Sequence, residues 1–107
     1  MAFTANEILD IEKNIIFTLK NIYDPEIPVN IYDLGLIYNL DFSADGVASI
    51  EMTLTAPNCP MAEDLVRQVE EDVLTVDGVE KVNVNLTFEP AWDKSRISEE
   101  ALLELGL

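Results

Sequence analysis

The spacing of apolar residues along this chain switches repeatedly between helical and strand periods, and each switch marks a new element. Ile8, Ile11, Ile15, Leu19 and Ile22 recur at steps of three and four, which draws one apolar stripe along a helix. Thr4 followed by Glu7 has capping-box spacing at its start. Pro25 stops the pattern and Pro28 keeps the following chain extended. From Gly35 the period becomes two. Leu36, Tyr38, Leu40 and Phe42 alternate with Ile37, Asn39, Asp41 and Ser43. After Ala44-Asp45-Gly46, the residues Ala48, Ile50, Met52 and Leu54 alternate with Ser49, Glu51, Thr53 and Thr55. Two alternating runs around an Asp-Gly turn predict a β-hairpin with one buried face.

A second helix is expected from Pro60, a residue tolerated at the first helical position because its missing N–H has no partner there. Met61, Leu65, Val69 and Val73 make its stripe, and Glu63 and Asp64 suit the positive end of its dipole. Asp77-Gly78 turns the chain into a third strand, where Val82, Val84, Leu86 and Phe88 alternate with polar residues up to Pro90. Ser98 then caps a short helix, Glu99 to Leu105, closed by Gly106. The order α-β-β-α-β-α predicts an α/β fold of the two-layer α+β type, a three-stranded sheet with helices on one face. Asn39, Asp41, Glu51, Thr53, Asn83 and Asn85 are expected on the opposite, solvated face. Such a layer pair has no deep interior pocket, so chemistry is expected at the loop ends.

Composition narrows the function. The 107 residues (12.0 kDa) suit one domain, and 49% hydrophobic content supports a core without staples. Six basic against 21 acidic residues leave a charge of −15. That field opposes nucleic acid and anionic membrane surfaces, both of which call for lysine and arginine. No apolar run approaches the roughly 20 residues of a membrane span. The start, Met-Ala-Phe-Thr-Ala-Asn-Glu, lacks the basic and apolar parts of a signal peptide. One cysteine excludes an intramolecular disulfide and fits a reducing compartment. The expectation is a cytoplasmic protein.

Two connections break the simple pattern: Asp24-Pro25-Glu26-Ile27-Pro28 with Asp33-Leu34-Gly35, and Thr53 to Pro60. The first reads either as a helix stop with a stiff loop or as a source of acceptors, Asp24 and Glu26, beside the second. Cys59 stands just before the second helix, where unpaired N–H groups favour thiolate. Glu63 and Asp64 oppose that effect by raising the thiol pKa. Cys59 is therefore either a reactive thiol or a structural cap. The chain contains no histidine, so a thiol enzyme would lack its usual base. A zinc or iron–sulfur site takes roughly three or four thiolate or imidazole ligands. One cysteine supplies a fraction of that set; a second subunit, a partner or a small thiol would have to complete it, which means transient handling.

Four blocks carry a resemblance across nearly the whole chain: Asp24-Pro25-Glu26, Asp33-Leu34-Gly35-Leu36-Ile37-Tyr38, Met52 to Pro60, and Glu89-Pro90-Ala91-Trp92. In order and spacing they resemble the SufT/PaaD-like family of metal–sulfur cluster assembly domains, which is related to the eukaryotic cytosolic iron–sulfur targeting factor. The resemblance implies one domain over residues 1–107, an iron–sulfur assembly fold, and a non-enzymatic role in maturing iron–sulfur proteins. It implies that Cys59 matches the family's cysteine and Asp24 its motif acid; the leading reading takes Cys59 as the functional thiol and metal ligand, with Asp24, Glu26, Thr55 and Asn58 shaping its surroundings. No permanent cofactor is expected, only a transient iron–sulfur cluster shared with a second subunit or partner. Implied partners are iron–sulfur scaffold or carrier proteins and apo client enzymes, and a homodimer would bring two Cys59 thiols together. Asn58 departs from the family, which often has glycine there; asparagine tolerates positive φ better than most residues. The alternative function is a protein-interaction adaptor whose cysteine is structural.

Overall fold

A computed structural model describes residues 3–24, 27–55 and 62–106. Its elements follow the expected order: α1 (Ala5–Leu19), β1 (Ile37–Phe42), β2 (Val47–Met52), α2 (Ala62–Leu74), β3 (Lys81–Leu86), a 3-10 turn (Lys94–Arg96) and α3 (Glu99–Leu105). The Thr4–Glu7 capping box forms in both directions, at 3.0 and 3.2 Å. Accepting the Thr4 backbone N–H and bonding its side chain hold the Glu7 carboxyl below its ordinary range. Ile11, Ile15 and Leu19 of the stripe are buried, as is Ile22 just past the helix. Ser98 caps α3 by accepting from the Ala101 N–H, and Gly106 closes it in the left-handed region. The expected positions of Pro25, Pro60 and Met61 lie outside the described residues.

The sheet is mixed, with order β1-β2-β3. β1 and β2 pair antiparallel through the Ser43–Gly46 turn, whereas β3 returns parallel to β2 after α2. α1 lies against α2 and β1, and α2 lies against β3. Between these layers sit Phe42, Ala48, Ile50 and Met52 from the sheet and Leu65, Val69 and Val73 from α2. The other sheet face is polar, with Asn39, Ser49, Glu51, Asn83 and Asn85 around an open depression. No helix among the described residues is long and apolar enough to cross a membrane.

Three details differ from the alternation read in the sequence. A bulge sets Ile37, not Tyr38, opposite Met52, while Asn39 stays opposite Glu51. One extra residue in one strand shifts every side chain beyond it by one place. Tyr38 is thus half-buried and bonded at its hydroxyl instead of sitting in the core. Thr53, expected in water, is fully buried, as is Leu54 beside it, because β2 ends at Met52 and the chain turns inward. Phe88 lies beyond the end of β3 and is 38% exposed. The connection between α1 and β1 also contributes to the core, through Val29, Ile31, Leu34 and Leu36.

Candidate functional site

Chain direction gathers the motif segments at one end of the sheet. β1 starts there, β2 and β3 finish there, and the connection from α1 enters there. Carboxyl ends of parallel strands, where loops face solvent over a rigid sheet, are the usual place for a site in α/β folds.

Asp24 opens the first segment. Its carboxylate accepts from the Ile27 N–H at 3.0 Å, and its own N–H donates to Val29 O at 3.3 Å. Tyr23 bridges Asn30, and the Ile31 N–H donates to Ile22 O at 2.8 Å. Ile22–Asp24 and Ile27–Ile31 are therefore held side by side, with a buried carboxylate between them, Asp24 being only 7% exposed. Burying such a group is costly unless hydrogen bonds hold it, and here a backbone donor does. Asn30 and Asp33 then grip each other: the Asp33 N–H donates to Asn30 Oδ1 at 2.8 Å, and Asn30 Nδ2 donates to Asp33 Oδ2 at 2.9 Å.

The second and third segments meet directly. The Thr53 N–H donates to Leu36 O at 2.8 Å, and the Thr87 N–H donates to Met52 O at 2.9 Å. These bonds continue both ladders past the strand ends and aim residues 53–55 out of the sheet. Thr55 is half-buried. The Thr53 hydroxyl is fully buried and has no hydrogen-bond partner among the described residues.

The fourth segment clamps the others. Trp92 Nε1 donates to Leu34 O at 2.6 Å, the Tyr38 hydroxyl donates to Pro90 O at 2.7 Å, and the Ser98 N–H donates to Asp33 O at 2.7 Å. The Arg96 guanidinium lies 4.6 Å over the Tyr38 ring. Gly35 makes this approach possible. Its φ is +79°, and a Cβ there would lie 2.3 Å from the Arg96 carbonyl oxygen. Between clamp and sheet lies an open depression of about 490 Å³, lined by Gly35, Ile37, Tyr38, Glu51, Pro90 and Arg96.

Of the residues assigned by resemblance, Thr55 lies just past the end of β2 and Asp24 in the connection that leads to β1, while Glu26, Asn58 and Cys59 lie outside the described residues. Among the described residues no group of three His, Cys, Asp or Glu side chains could hold a metal ion. Sequence reasoning missed two participants. Thr53 looked like an outward strand position, although its neighbours Met52 and Leu54 are both apolar. Trp92 was visible as the lone tryptophan of the fourth block, yet nothing local marked its indole as a donor to Leu34.

A model of the iron–sulfur cluster assembly protein family matches residues 12–86. The chain belongs to that family. It is 56% identical over 101 residues to an Fe-S protein maturation auxiliary factor of Porphyromonas gingivalis, covering 94% of this chain and 96% of the relative. With the Fe-S protein maturation auxiliary factor YitW of Bacillus subtilis it shares 34% over 97 residues, covering 91% and 95%. A crystal structure of a domain of unknown function, DUF59, from Bacillus anthracis superposes with a TM-score of 0.88 at 34% identity, covering 97% and 99%. Both maturation factors and this chain are therefore members of one SufT-like group that spans the whole fold.

Proposed function

We propose that this protein is a non-enzymatic maturation factor of the cytoplasm that handles an iron–sulfur cluster in transit through Cys59. The observation that carries the reading is the meeting of the described parts of the motif blocks, Leu34 with Trp92 and Leu36 with Thr53, in a chain whose relatives are named maturation factors. Rigid ladders and the Trp92 clamp fix the start and end of this region. Asn58 and Cys59 follow Thr55 in sequence, between the end of this region and α2.

The cluster is cargo in this reading. Cys59 offers one thiolate, a soft ligand suited to iron, and the remaining ligands come from the donor, the acceptor or a second subunit. Incomplete ligation suits release, because a full thiolate set would retain the cluster. Asp24 and Glu26 supply acceptors at the site, while Thr55 and Asn58 shape the connection. Partners in this reading are scaffold or carrier proteins on one side and apo client enzymes on the other. The test is rescue of iron–sulfur enzyme activity in a strain lacking this protein, comparing wild type with Cys59→Ser.

A further inference from the structure

The helix α2 has two working faces. Leu65, Val69 and Val73 point into the core. Glu63, Val66, Arg67 and Glu70, spaced at three and four residues, lie on another face and line an open groove of about 400 Å³ with Leu86. Leu86 ends β3, so this groove runs between α2 and the outer edge of the sheet.

That edge is open. Lys81 and Thr87 direct their N–H groups toward β2, to Gly46 O at 3.2 Å and Met52 O at 2.9 Å. Backbone groups alternate in direction along a strand, so those of Val82, Val84 and Leu86 point away from β2. Among the described residues no strand lies beyond β3. The side chains tell the same story. Val82, Val84 and Leu86 are only half-buried, whereas their register partners Ala48, Ile50 and Met52 are buried. The apolar face of the sheet is thus partly uncovered at its last strand, and the outward N–H groups of Val82, Val84 and Leu86 have no partner among the described residues.

Charge selects the occupant. Arg67 already pairs with Asp64, at 3.8 Å, which leaves Glu63 and Glu70 as the carboxylates flanking Val66. We propose that the β3 edge and this groove bind an extended segment of a partner protein as a fourth strand. Its backbone pairs with Val82, Val84 and Leu86, an apolar side chain enters the groove, and flanking lysines or arginines face Glu63 and Glu70. A second copy of this chain fits poorly. It would bring another −15 of charge and its own α2 carboxylates against these. The inference does not depend on the thiol role of Cys59, and Cys59→Ser is expected to keep this binding.

The probe is a synthetic peptide in which lysine, valine and lysine alternate with threonines, titrated into the whole chain and followed by amide NMR. Expected shifts centre on Val82, Val84, Leu86 and the Glu63–Glu70 stretch. Changing Glu63 and Glu70 together to Gln is expected to weaken binding about tenfold, roughly the loss of two partly screened ion pairs. Two N-methylated peptides separate strand pairing from plain charge attraction, one blocked at the lysine and valine amides, the other at the threonine amides. One is expected to lose binding and the other to keep it. Equal binding by both, indifference to the Gln pair, or shifts centred on the Asn39–Asn83 face would overturn the proposal. So would a stable dimer of the free chain that protects the Val82, Val84 and Leu86 amides, because the edge would then belong to a second copy.

Discussion

The indole N–H of Trp92 donates to the backbone carbonyl of Leu34 at 2.6 Å, joining residues 58 positions apart. This bond ties the C-terminal strap to the loop that precedes β1. Replacing Trp92 by Phe keeps an aromatic ring and removes the donor, leaving a carbonyl without its partner. The expected loss is about 1 kcal/mol, read from denaturant midpoints. A midpoint equal to wild type would show that water replaces the indole without penalty.

Gly35 and Gly106 form a matched pair. Both have positive φ, +79° and +75°, but a Cβ at Gly35 would collide with the Arg96 backbone, whereas at Gly106 nothing among the described residues lies within 4 Å. Gly106→Ala is therefore expected to cost only the left-handed backbone penalty, about 1 kcal/mol. Gly35→Ala adds the displacement of the strap and is expected to exceed about 2 kcal/mol. Equal thermal shifts for the two would contradict the close approach of the strap.

Thr53 has a fully buried hydroxyl without a partner among the described residues. An unsatisfied buried hydroxyl is costly, and valine has nearly the same shape. Thr53→Val is expected to raise stability by about 1 kcal/mol, measured by urea unfolding. A lower midpoint would mean that the hydroxyl is bonded in solution.

The strap carries a pH signature. The Ser95 hydroxyl and then the Ser95 N–H bond to Asp93, holding its carboxyl below the ordinary value of 3.8. A depressed folded pKa contributes stability that is present above the unfolded value and lost as pH falls through the folded one. The gap in midpoint between wild type and Asp93→Ala is thus expected near neutrality and to close below about pH 3.8. A gap that persists unchanged in acid would assign the difference to packing.

How much of this was legible in the sequence follows from range. Helix caps at Thr4 and Ser98, the Leu65–Val69–Val73 stripe and the hairpin turn depend on neighbours a few positions away, and all were readable. The bulge at Tyr38 was not. It shows only in the register against Met52, and Tyr38 there meets Pro90 and Arg96, far along the chain. The burial of Thr53 was hidden for a similar reason, since the strand ends at Met52, three residues short of the alternation that runs on to Thr55. At the candidate site, the motif blocks were legible as blocks, whereas the contacts that join their described residues, such as Trp92 to Leu34 and Thr53 to Leu36, come from topology.

The most direct test of the account is the Cys59→Ser chain in a strain lacking the wild-type protein. Serine keeps the size and the capping ability of cysteine but is a far poorer ligand for iron. Circular dichroism and unfolding midpoints are expected to match wild type, while iron–sulfur enzyme activity stays at the level of the deletion strain. Full rescue by the folded Cys59→Ser protein would contradict the thiol's role and leave an adaptor whose cysteine is structural.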